Sequence, residues 1–458
     1  MHRKAAWSVL VSAVTLACSG DGAPEARAQT GPATARERAP VAAAAFAGAD
    51  GATRMRALGC GGCHAGEGPR VQALPLSEGG GPRDPAALFL YLADSLPAAP
   101  RADGARMPDF HLTEAEALAL ALYLGSGRAA GGARERFERA RDAYRDVRAD
   151  DGARLYDAFR CASCHAAPPP PPDAPSLAFE GARVHDDWLR AFLLRPHAVR
   201  PSGAQPGSFA RMPDFGLTQD DAEAIVTTLA ARTIVLPAFE ADTPSGFTAS
   251  KHETLLRERY DCLGCHAWRG DAGRIAPDLS LASRRLRPTY IRAMLDRPHE
   301  LAPGTMMPVS RLPAAERDEL AAFIAAYTAA DAESTPRYIS PLDHPMTTAA
   351  ANAPASSAGE LYRRHCAACH GIDGRGDGFN ARYLDAPPAA HASAEAMSKR
   401  PDDTLHDGIA AGGRILGRSA RMPAFGSSLT PDEIRALVMH IRDLCDCAPP
   451  RWSAGGTQ

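Results

Sequence analysis

The 458-residue chain has few aromatic side chains, little net charge and only one long apolar run. Aromatic residues make up 6% of the sequence, and much of its 45% apolar fraction is alanine, which buries little area per residue. A formal net charge of −3 is small for this length and implies no nucleic-acid partner. Small domains with thin cores usually depend on a disulfide, a metal or a cofactor. The composition therefore predicts several small domains, each built around something that the polypeptide does not supply.

The single long apolar run, residues 5–17, follows the basic stretch His2-Arg3-Lys4. It is too short to span a bilayer but has the length of the central region of an export signal. It ends at Cys18, where a lipoprotein signal places its lipidated cysteine. Cleavage after residues 26–28 and an uncleaved anchor are the alternatives. We therefore expect an exported protein of the periplasm or cell envelope, with a membrane tether through Cys18 preferred over plain secretion.

One pattern, C-x-x-C-H, occurs four times and takes up eight of the eleven cysteines. Its first cysteines are 101, 101 and 104 residues apart, which indicates an internally repeated unit. Two thiols at this spacing form thioether bonds to the vinyl groups of one haem, and the next histidine binds the iron. The predicted haem c attachment residues are Cys60, Cys63, Cys161, Cys164, Cys262, Cys265, Cys366 and Cys369. The predicted iron ligands beside them are His64, His165, His266 and His370.

Three other interpretations account for this pattern less well. A thioredoxin-like redox pair does not need the histidine four times. A zinc site needs a second pair of ligands close by, and none follows in the sequence. Disulfides suit an oxidising compartment but leave the histidine unexplained. Four covalently attached haems, each with its iron, are therefore the prediction.

A Met-Pro pair follows each motif, 45–56 residues after its first cysteine. A methionine that only fills a gap in a core needs neither the proline nor a constant position in each repeat. In the third repeat Met306 competes with Met307, but Met307 holds the Met-Pro position. The predicted sixth iron ligands are therefore Met107, Met212, Met307 and Met422.

These features together resemble the small monohaem domain of class I c-type cytochromes, repeated four times over residues 49–447. The fourth copy, which begins GELYRRHCAACHGIDGRGDG, is the most typical. The first copy lacks the aromatic residue that the others carry before the motif as Tyr156, Tyr260 and Tyr362. The resemblance implies an all-α fold of four small helical domains, each wrapped on its haem. It also implies that a proline carbonyl accepts a hydrogen bond from each haem-binding histidine, and the candidates are Pro75, Pro175, Pro277 and Pro387.

Helix signals agree with this fold class. Thr113 and Thr218 begin capping boxes, and Thr430 precedes a proline in the first helical position. Apolar residues follow at helical spacing, whereas strand signals are scarce. Each methionine is therefore expected to lie just before a final helix.

The repeat spacing and the composition divide the chain into segments. The expected cytochrome c domains are residues 49–130, 149–234, 251–330 and 357–448, with a connector helix at 131–148. The remaining segments are a signal (1–18), a disordered tether (19–48), linkers (235–250 and 331–356) and a tail (449–458). Near the end, Cys445 and Cys447 have three alternatives: a local disulfide, which we favour, a bond to another chain, or free thiols.

Four irons with a protein ligand on both faces leave no coordination position for a substrate. The sequence therefore predicts a tetrahaem electron carrier, not an enzyme, that serves redox partner proteins of the cell envelope. One alternative is a peroxidase-like or oxyanion-reducing haem enzyme with one five-coordinate haem, for which the first domain is the candidate. Another is a cytochrome subunit of a larger respiratory or dehydrogenase complex.

Overall fold

The computed structural model describes residues 50–64, 83–94, 107–126, 129, 131–159, 161, 163, 174–203, 209, 211–328, 336–343 and 357–453. The predicted signal and tether, including Cys18, lie outside these residues. Among the predicted haem-site residues, Pro75, Cys164 and His165 also lie outside them. All the other predicted haem-site residues are described.

Short helices make up most of the first half. They are α1 (Gly51–Leu58), α2 (Pro85–Ala93), α3 (Glu114–Leu124), α4 (Arg134–Ala143), α5 (Ala149–Ala158), α6 (Glu180–Arg183), α7 (Asp186–Leu194) and α8 (Gln219–Ala230). Single 3₁₀ turns lie at Cys60–Gly62 and Gly131–Ala133. Helix α4 lies in the segment predicted as a connector helix.

The second half has the same character. Its helices are α9 (Gly246–Glu258), α10 (Ala282–Arg285), α11 (Pro288–Asp296), α12 (Pro298–Leu301), α13 (Ala314–Ala326), α14 (Ala358–His365), α15 (Ala367–His370), α16 (Ala394–Met397), α17 (Asp402–Ala411) and α18 (Pro431–Cys445). The 3₁₀ turns are Asp261–Gly264, Leu279–Leu281, Pro341–Asp343, Ala381–Tyr383 and Gly413–Leu416. Strands β1 (Ala267–Trp268) and β2 (Asp271–Ala272) form an antiparallel pair, the one sheet in the described part of the chain. The fold is mostly helical, in agreement with the predicted all-α class.

In the chain that the structure describes, no helix combines the length and apolar character required to cross a membrane.

The helices after the methionines begin where the sequence predicts. Thr113, Thr218 and Thr430 each accept a hydrogen bond from the backbone of the third helical residue. The side chain of that third residue accepts in return from the threonine backbone, which completes a capping box at all three sites. Local sequence therefore determines the starts of α3, α8 and α18.

Two of the four main hydrophobic cores lie within one repeat each. Core C has the buried residues Leu256, Tyr260, Leu263, Trp268, Ala282, Ile291, Leu295, Leu320, Ala321, Phe323 and Ile324. Core D has Leu361, Tyr362, Cys366, Met397, Leu405, Ile409, Phe425, Leu429, Ile434, Leu437, Val438, Ile441 and Cys445. Helices α9 and α11 pack against α13 in the third repeat, and α14 and α17 pack against α18 in the fourth.

The other two cores combine residues of the first and second repeats. Core A has the buried residues Met55, Val184, Leu189, Leu193, Ala222, Ile225, Val226 and Leu229. Core B has Ala86, Phe89, Leu92, Ala117, Leu118, Ala119, Leu120, Ala121, Phe137, Ala140, Leu155 and Phe159. Helix α1 packs against α8, whereas α5 packs against α3. Helix packing therefore crosses the predicted boundaries between residues 49–130 and 149–234.

Close helix crossings explain why glycine stands in α1 and α5. A Cβ on Gly51 would clash with the backbone carbonyl of Ala224 in α8. A Cβ on Gly152 would clash in the same way with the carbonyl of Ala119 in α3. The two crossings are equivalent, because Gly51 and Gly152 hold matching positions in their repeats.

Equivalent residues of neighbouring repeats also pair with each other. The Met-Pro segments meet in an antiparallel bridge, where Asp109 N donates to Asp214 O at 2.8 Å and Asp214 N donates to Asp109 O at 2.7 Å. A second antiparallel bridge joins Val184 to Leu286, which hold matching positions in the second and third repeats. Antiparallel pairing of matching residues relates the paired segments by local twofold symmetry.

The end of the last helix carries a disulfide between Cys445 and Cys447, the arrangement favoured from the sequence. Cys445 is buried in core D. Nearby, the buried Arg442 donates to the Met397 carbonyl at 2.8 Å and pairs with Asp402 at 2.7 Å. These contacts hold the C-terminal end of α18 against core D.

Candidate functional site

Each described C-x-x-C-H motif closes the same short turn directly after a helix. The histidine N–H donates to the carbonyl of the first cysteine at 2.9 Å, for His64 to Cys60, His266 to Cys262 and His370 to Cys366. This turn brings two cysteines and one imidazole together within five residues. In the second copy, Cys161 is described and follows α5 in the same way, with its N–H bonded to the Tyr156 carbonyl at 3.1 Å.

The imidazole of each described motif histidine is oriented by a backbone carbonyl. Nδ1 lies 2.8 Å from the Pro175 oxygen in His64, 2.7 Å from the Pro277 oxygen in His266, and 2.8 Å from an alanine oxygen in His370. A carbonyl only accepts, so Nδ1 must carry the proton and Nε2 keeps its lone pair. The geometry thus prepares Nε2 for a metal.

Burial keeps the imidazoles of His266 and His370 neutral. It lowers the pKa of His266 to about 4 and lowers that of His370 as well. The hydrogen bonds to Pro277 and Ala389 oppose this shift but do not outweigh it. A neutral imidazole with a free Nε2 is the form that binds iron.

Two of the four predicted proline carbonyls differ from the sequence-based expectation. The carbonyl next to His370 belongs to Ala389, not to Pro387, because the loop from the motif to this contact spans 19 residues in the fourth repeat. In the third repeat the contact spans 11 residues, and Pro277 lies where the sequence places it. Pro175 does accept from a motif histidine, but from His64 and not from the histidine of its own repeat.

Each of the four cores contains one first cysteine and one Met-Pro methionine. Core C contains Cys262 and Met307, and core D contains Cys366 and Met422. In core B the pair is Cys161 and Met107, and in core A it is Cys60 and Met212. The structure therefore brings every predicted methionine into a core with a haem-attachment cysteine, although not always the one in its own repeat.

Met306, the competing candidate in the third repeat, lies elsewhere. It packs against a separate group of buried residues between repeats, the junction cluster of Phe209, Ile275, Ile339, Ala368 and Phe379. Met307 alone packs into core C. The packing thus favours Met307 as the sixth ligand.

The thiols have the environment of attachment sites and not of reactive thiolates. Cys262, Cys265, Cys366 and Cys369 are free thiols in the structure, without a disulfide within either motif. Burial raises the pKa of Cys262 and Cys366 to about 12, which disfavours a thioredoxin-like thiolate. Among the described residues, no group of three or more His, Cys, Asp or Glu side chains has the geometry of a metal site, as structural zinc would need. A first cysteine and a methionine in one apolar core, with a second thiol and an imidazole on the same short turn, fit a covalently attached haem.

Sequence analysis did not identify His391. Its ring stacks on His370 with centroids 4.0 Å apart and planes 11° from parallel. Its Nδ1 lies 2.9 Å from the Tyr362 hydroxyl, in the buried part of core D. His391 thereby holds the orientation of the motif imidazole, a role for which the motif pattern contains no signal.

Asn380 was also missed, and it joins the third and fourth motifs. Its Oδ1 accepts from the Arg274 backbone N–H at 2.7 Å, and its Nδ2 donates to the Gly264 carbonyl at 2.9 Å and to Cys369 Sγ at 3.3 Å. Burial, followed by the nearby Cys369, raises the pKa of Cys265. The attachment cysteines of two motifs therefore lie close together at this junction.

Comparison with known proteins identifies two segments of the chain. Residues 149–230 match the family model of cytochrome c, and residues 353–441 match that of the cbb3-type cytochrome c oxidase subunit III. No curated protein and no solved structure matches the chain.

Proposed function

We propose that this chain is a tetrahaem c-type cytochrome. Residues 149–230 and 353–441 match cytochrome c families, whose domains bind haem covalently and serve electron transfer. The chain carries single electrons between redox partners of the bacterial cell envelope through four His/Met-ligated haems. The observation that carries the proposal is the composition of the cores, because each holds one attachment cysteine and one Met-Pro methionine.

The residues around each site suit electron transfer. Bound haem supplies a one-electron couple of its iron. The cysteines attach the group to the turn, and the carbonyl bonded to Nδ1 fixes the imidazole and increases its basicity. The methionine sulfur would be the second protein ligand of the iron and would raise its reduction potential. With a histidine and a methionine both on the iron, no coordination position would be left for a substrate, which supports a carrier over an enzyme.

The cellular location belongs to the same proposal. Covalent haem attachment through C-x-x-C-H suits the exported state that residues 1–18 predict, with a tether through Cys18.

One observation favours a second candidate function. Residues 353–441 match a family named for an oxidase subunit, which supports a role as the cytochrome subunit of a respiratory complex. Purification of the native protein from membranes separates the two, since a subunit co-purifies with stoichiometric partners and a carrier does not.

The haem count tests the proposal directly. The intact mass of the purified protein is expected to equal that of the processed polypeptide plus four haems. A potentiometric titration with optical detection is expected to show four low-spin centres. The near-infrared methionine band should account for all four in the ferric state. A mass increment of two haems, or a high-spin centre in the untreated protein, would contradict the tetrahaem carrier.

The two adjacent methionines of the third repeat offer a matched pair of variants. Met307→Ala is expected to convert one of the four haems to the high-spin form, because it removes the sulfur that packs in core C. Met306→Ala is expected to leave all four low-spin, because Met306 lies in the junction cluster. Absorption and magnetic circular dichroism spectra measure the outcome. Loss of a methionine band in the Met306 variant alone would assign the ligand to Met306.

A further inference from the structure

We propose that the first two repeats exchange their halves. The haem on the first motif then has His64 and Met212 as its ligands, and the haem attached through Cys161 of the second motif has Met107 as its methionine ligand. This inference rests on the proposed function, because it assumes His/Met ligation and adds which methionine serves which haem. The alternative is the sequential arrangement, in which each motif uses the next methionine along the chain.

Core composition is the first observation. Cys60 packs in core A together with Met212, and Cys161 packs in core B together with Met107. In the third and fourth repeats, the cysteine and the methionine of one core come from one repeat. Each of the four cores thus contains one first cysteine and one Met-Pro methionine. In cores A and B alone, these two residues come from different repeats.

The orientation of His64 is the second observation. Its Nδ1 contacts the Pro175 carbonyl, 111 residues further along the chain. In the third repeat, the equivalent contact from His266 spans 11 residues. The loop of the second repeat therefore supplies the carbonyl that orients the histidine of the first motif, whereas the loop of the third repeat orients the histidine of its own motif.

Helix packing is the third observation. Helix α1, before the first motif, crosses α8, which follows Met212. Arg54 of α1 forms an ion pair with Asp221 of α8, and both residues are buried. Burial of both charges makes this pair specific, since either one alone would be left uncompensated in the core. Helix α5 crosses α3 in the same manner, with Gly152 against Ala119.

Because the first two repeats have the same Met-Pro sequence, a motif helix can pack against the methionine segment of either repeat without a steric difference. The segment ARMPDF occurs at residues 105–110 and again at residues 210–215, so both methionines have the same local sequence. The two segments lie side by side through the Asp109–Asp214 bridge. A motif helix that reaches across this bridge meets a surface equivalent to the one in its own repeat. Exchange of identical elements is a low-cost way to join two units.

The exchange gives an unusual chain order. The described residues between 83 and 161 form one unit in which Met107 and its helix α3 precede the motif helix α5. In the sequence, this unit interrupts the other one, which combines residues 50–64 with the described residues between 174 and 230. The two haem sites are therefore mutually dependent, and neither repeat contains a complete site.

The test counts high-spin haems in full-length variants that lack one attachment site. In a Cys60→Ser/Cys63→Ser background, the first haem is absent and three haems are left. Adding Met212→Ala is expected to leave all three low-spin, because its haem is already missing. Adding Met107→Ala is expected to make one of the three high-spin. Haem content and the methionine band of the ferric spectrum give both counts.

The mirror background, Cys161→Ser/Cys164→Ser, is the matched control. There Met107→Ala is expected to change nothing, and Met212→Ala is expected to give one high-spin haem of three. The reverse pattern in both backgrounds would establish sequential pairing and overturn the exchange while leaving the tetrahaem proposal intact. If neither methionine variant of the four-haem protein yields a high-spin centre, methionine ligation itself fails, and with it both proposals.

A double-mutant cycle tests the exchange without removing a haem. Arg54→Leu and Asp221→Asn are expected to be non-additive, so that the double variant loses much less thermal stability than the two single losses combined. Glu116 holds in α3 the position that Asp221 holds in α8 and provides the control. Arg54→Leu and Glu116→Gln should be additive in the exchanged arrangement. Coupling to Glu116 with additivity at Asp221 would support the sequential arrangement instead.

Discussion

Replacement of Arg211 by leucine is expected to lower the free energy of unfolding by about 3–5 kcal/mol, the cost of breaking a buried ion pair from one side. The Arg211 side chain is 4% exposed, and that of its partner Glu116 is fully buried. Two guanidinium nitrogens contact the carboxylate at 2.7 and 3.1 Å. Without the arginine, the buried Glu116 carboxylate would lose the guanidinium that pairs with it among the described residues.

Aromatic rings and a serine hydroxyl complete the surroundings of this ion pair. Its guanidinium stacks on the Phe159 ring at 4.4 Å and lies 5.1 Å from the ring of Tyr338. Ser340 Oγ also donates to Glu116 at 2.7 Å, so the carboxylate is held from two sides. Arg211 directly precedes Met212, whereas Glu116 lies on the helix after Met107. The pair therefore joins the two methionine segments and links the stability of cores A and B.

Three variants separate the loss of pairing from a general packing defect. Denaturant unfolding should show a large loss for Arg211→Leu and a partial recovery for Arg211→Leu/Glu116→Gln, in which the buried charge is removed. The control is Arg190→Leu, because Arg190 forms a 2.6 Å ion pair with Glu223 at an exposed position. No measurable loss is expected there. Equal losses in the Arg211 and Arg190 variants would contradict the central position of the buried pair.

What the sequence predicts well in this protein is local. The helix starts at Thr113, Thr218 and Thr430 and the disulfide at the end of α18 all depend on residues a few positions apart. The same holds for Pro277, whose carbonyl reaches its histidine within one short loop. Interactions of this range depend on the order of residues along the chain, so a single sequence carries enough information to place them.

Which methionine packs in the same core as each C-x-x-C-H motif is not determined locally. The Met-Pro segments around Met107 and Met212 carry the same six residues, so nothing local distinguishes which core each one joins. Long-range contacts such as the pair between Arg54 and Asp221 make that choice, and they join residues 167 positions apart. Sequential reasoning therefore assigned Pro175 a plausible role with the wrong histidine. The roles of His391 and Asn380 depend on packing for which the motif pattern contains no signal.

The largest expected effect on electron exchange between the third and fourth haem sites comes from Asn380→Leu. Asn380 is fully buried, and its amide satisfies the Arg274 N–H and the Gly264 carbonyl on the third-repeat side. Leucine has a similar volume but no polar atoms, so both backbone groups would lose their partner inside the junction. Each such loss costs about 1–3 kcal/mol, and the two repeats are expected to separate at this contact.

Separation at the junction has a consequence for electron transfer. Cys265 and Cys369 both pack against the junction cluster. In the proposed tetrahaem protein, the haems of the third and fourth repeats are therefore expected to lie near each other at this cluster. Electron exchange between these two haems is therefore expected to slow in Asn380→Leu, while the spectra of all four haems stay low-spin. Flash reduction followed by optical detection of the redistribution measures the rate.

Ser202→Ala is the matched control for this variant. Ser202 is fully buried in the same region, but its hydroxyl makes only one long hydrogen bond that the described residues show, 3.5 Å to the Ile275 carbonyl. Its removal is expected to change neither the rate nor the unfolding midpoint appreciably, because a bond of that length contributes little. An unchanged rate in Asn380→Leu together with reduced stability would show that the amide holds the repeats together without setting the distance between their haems. A reduced rate in both variants would instead attribute the effect to any disturbance of the cluster and not to the hydrogen bonds of the Asn380 amide.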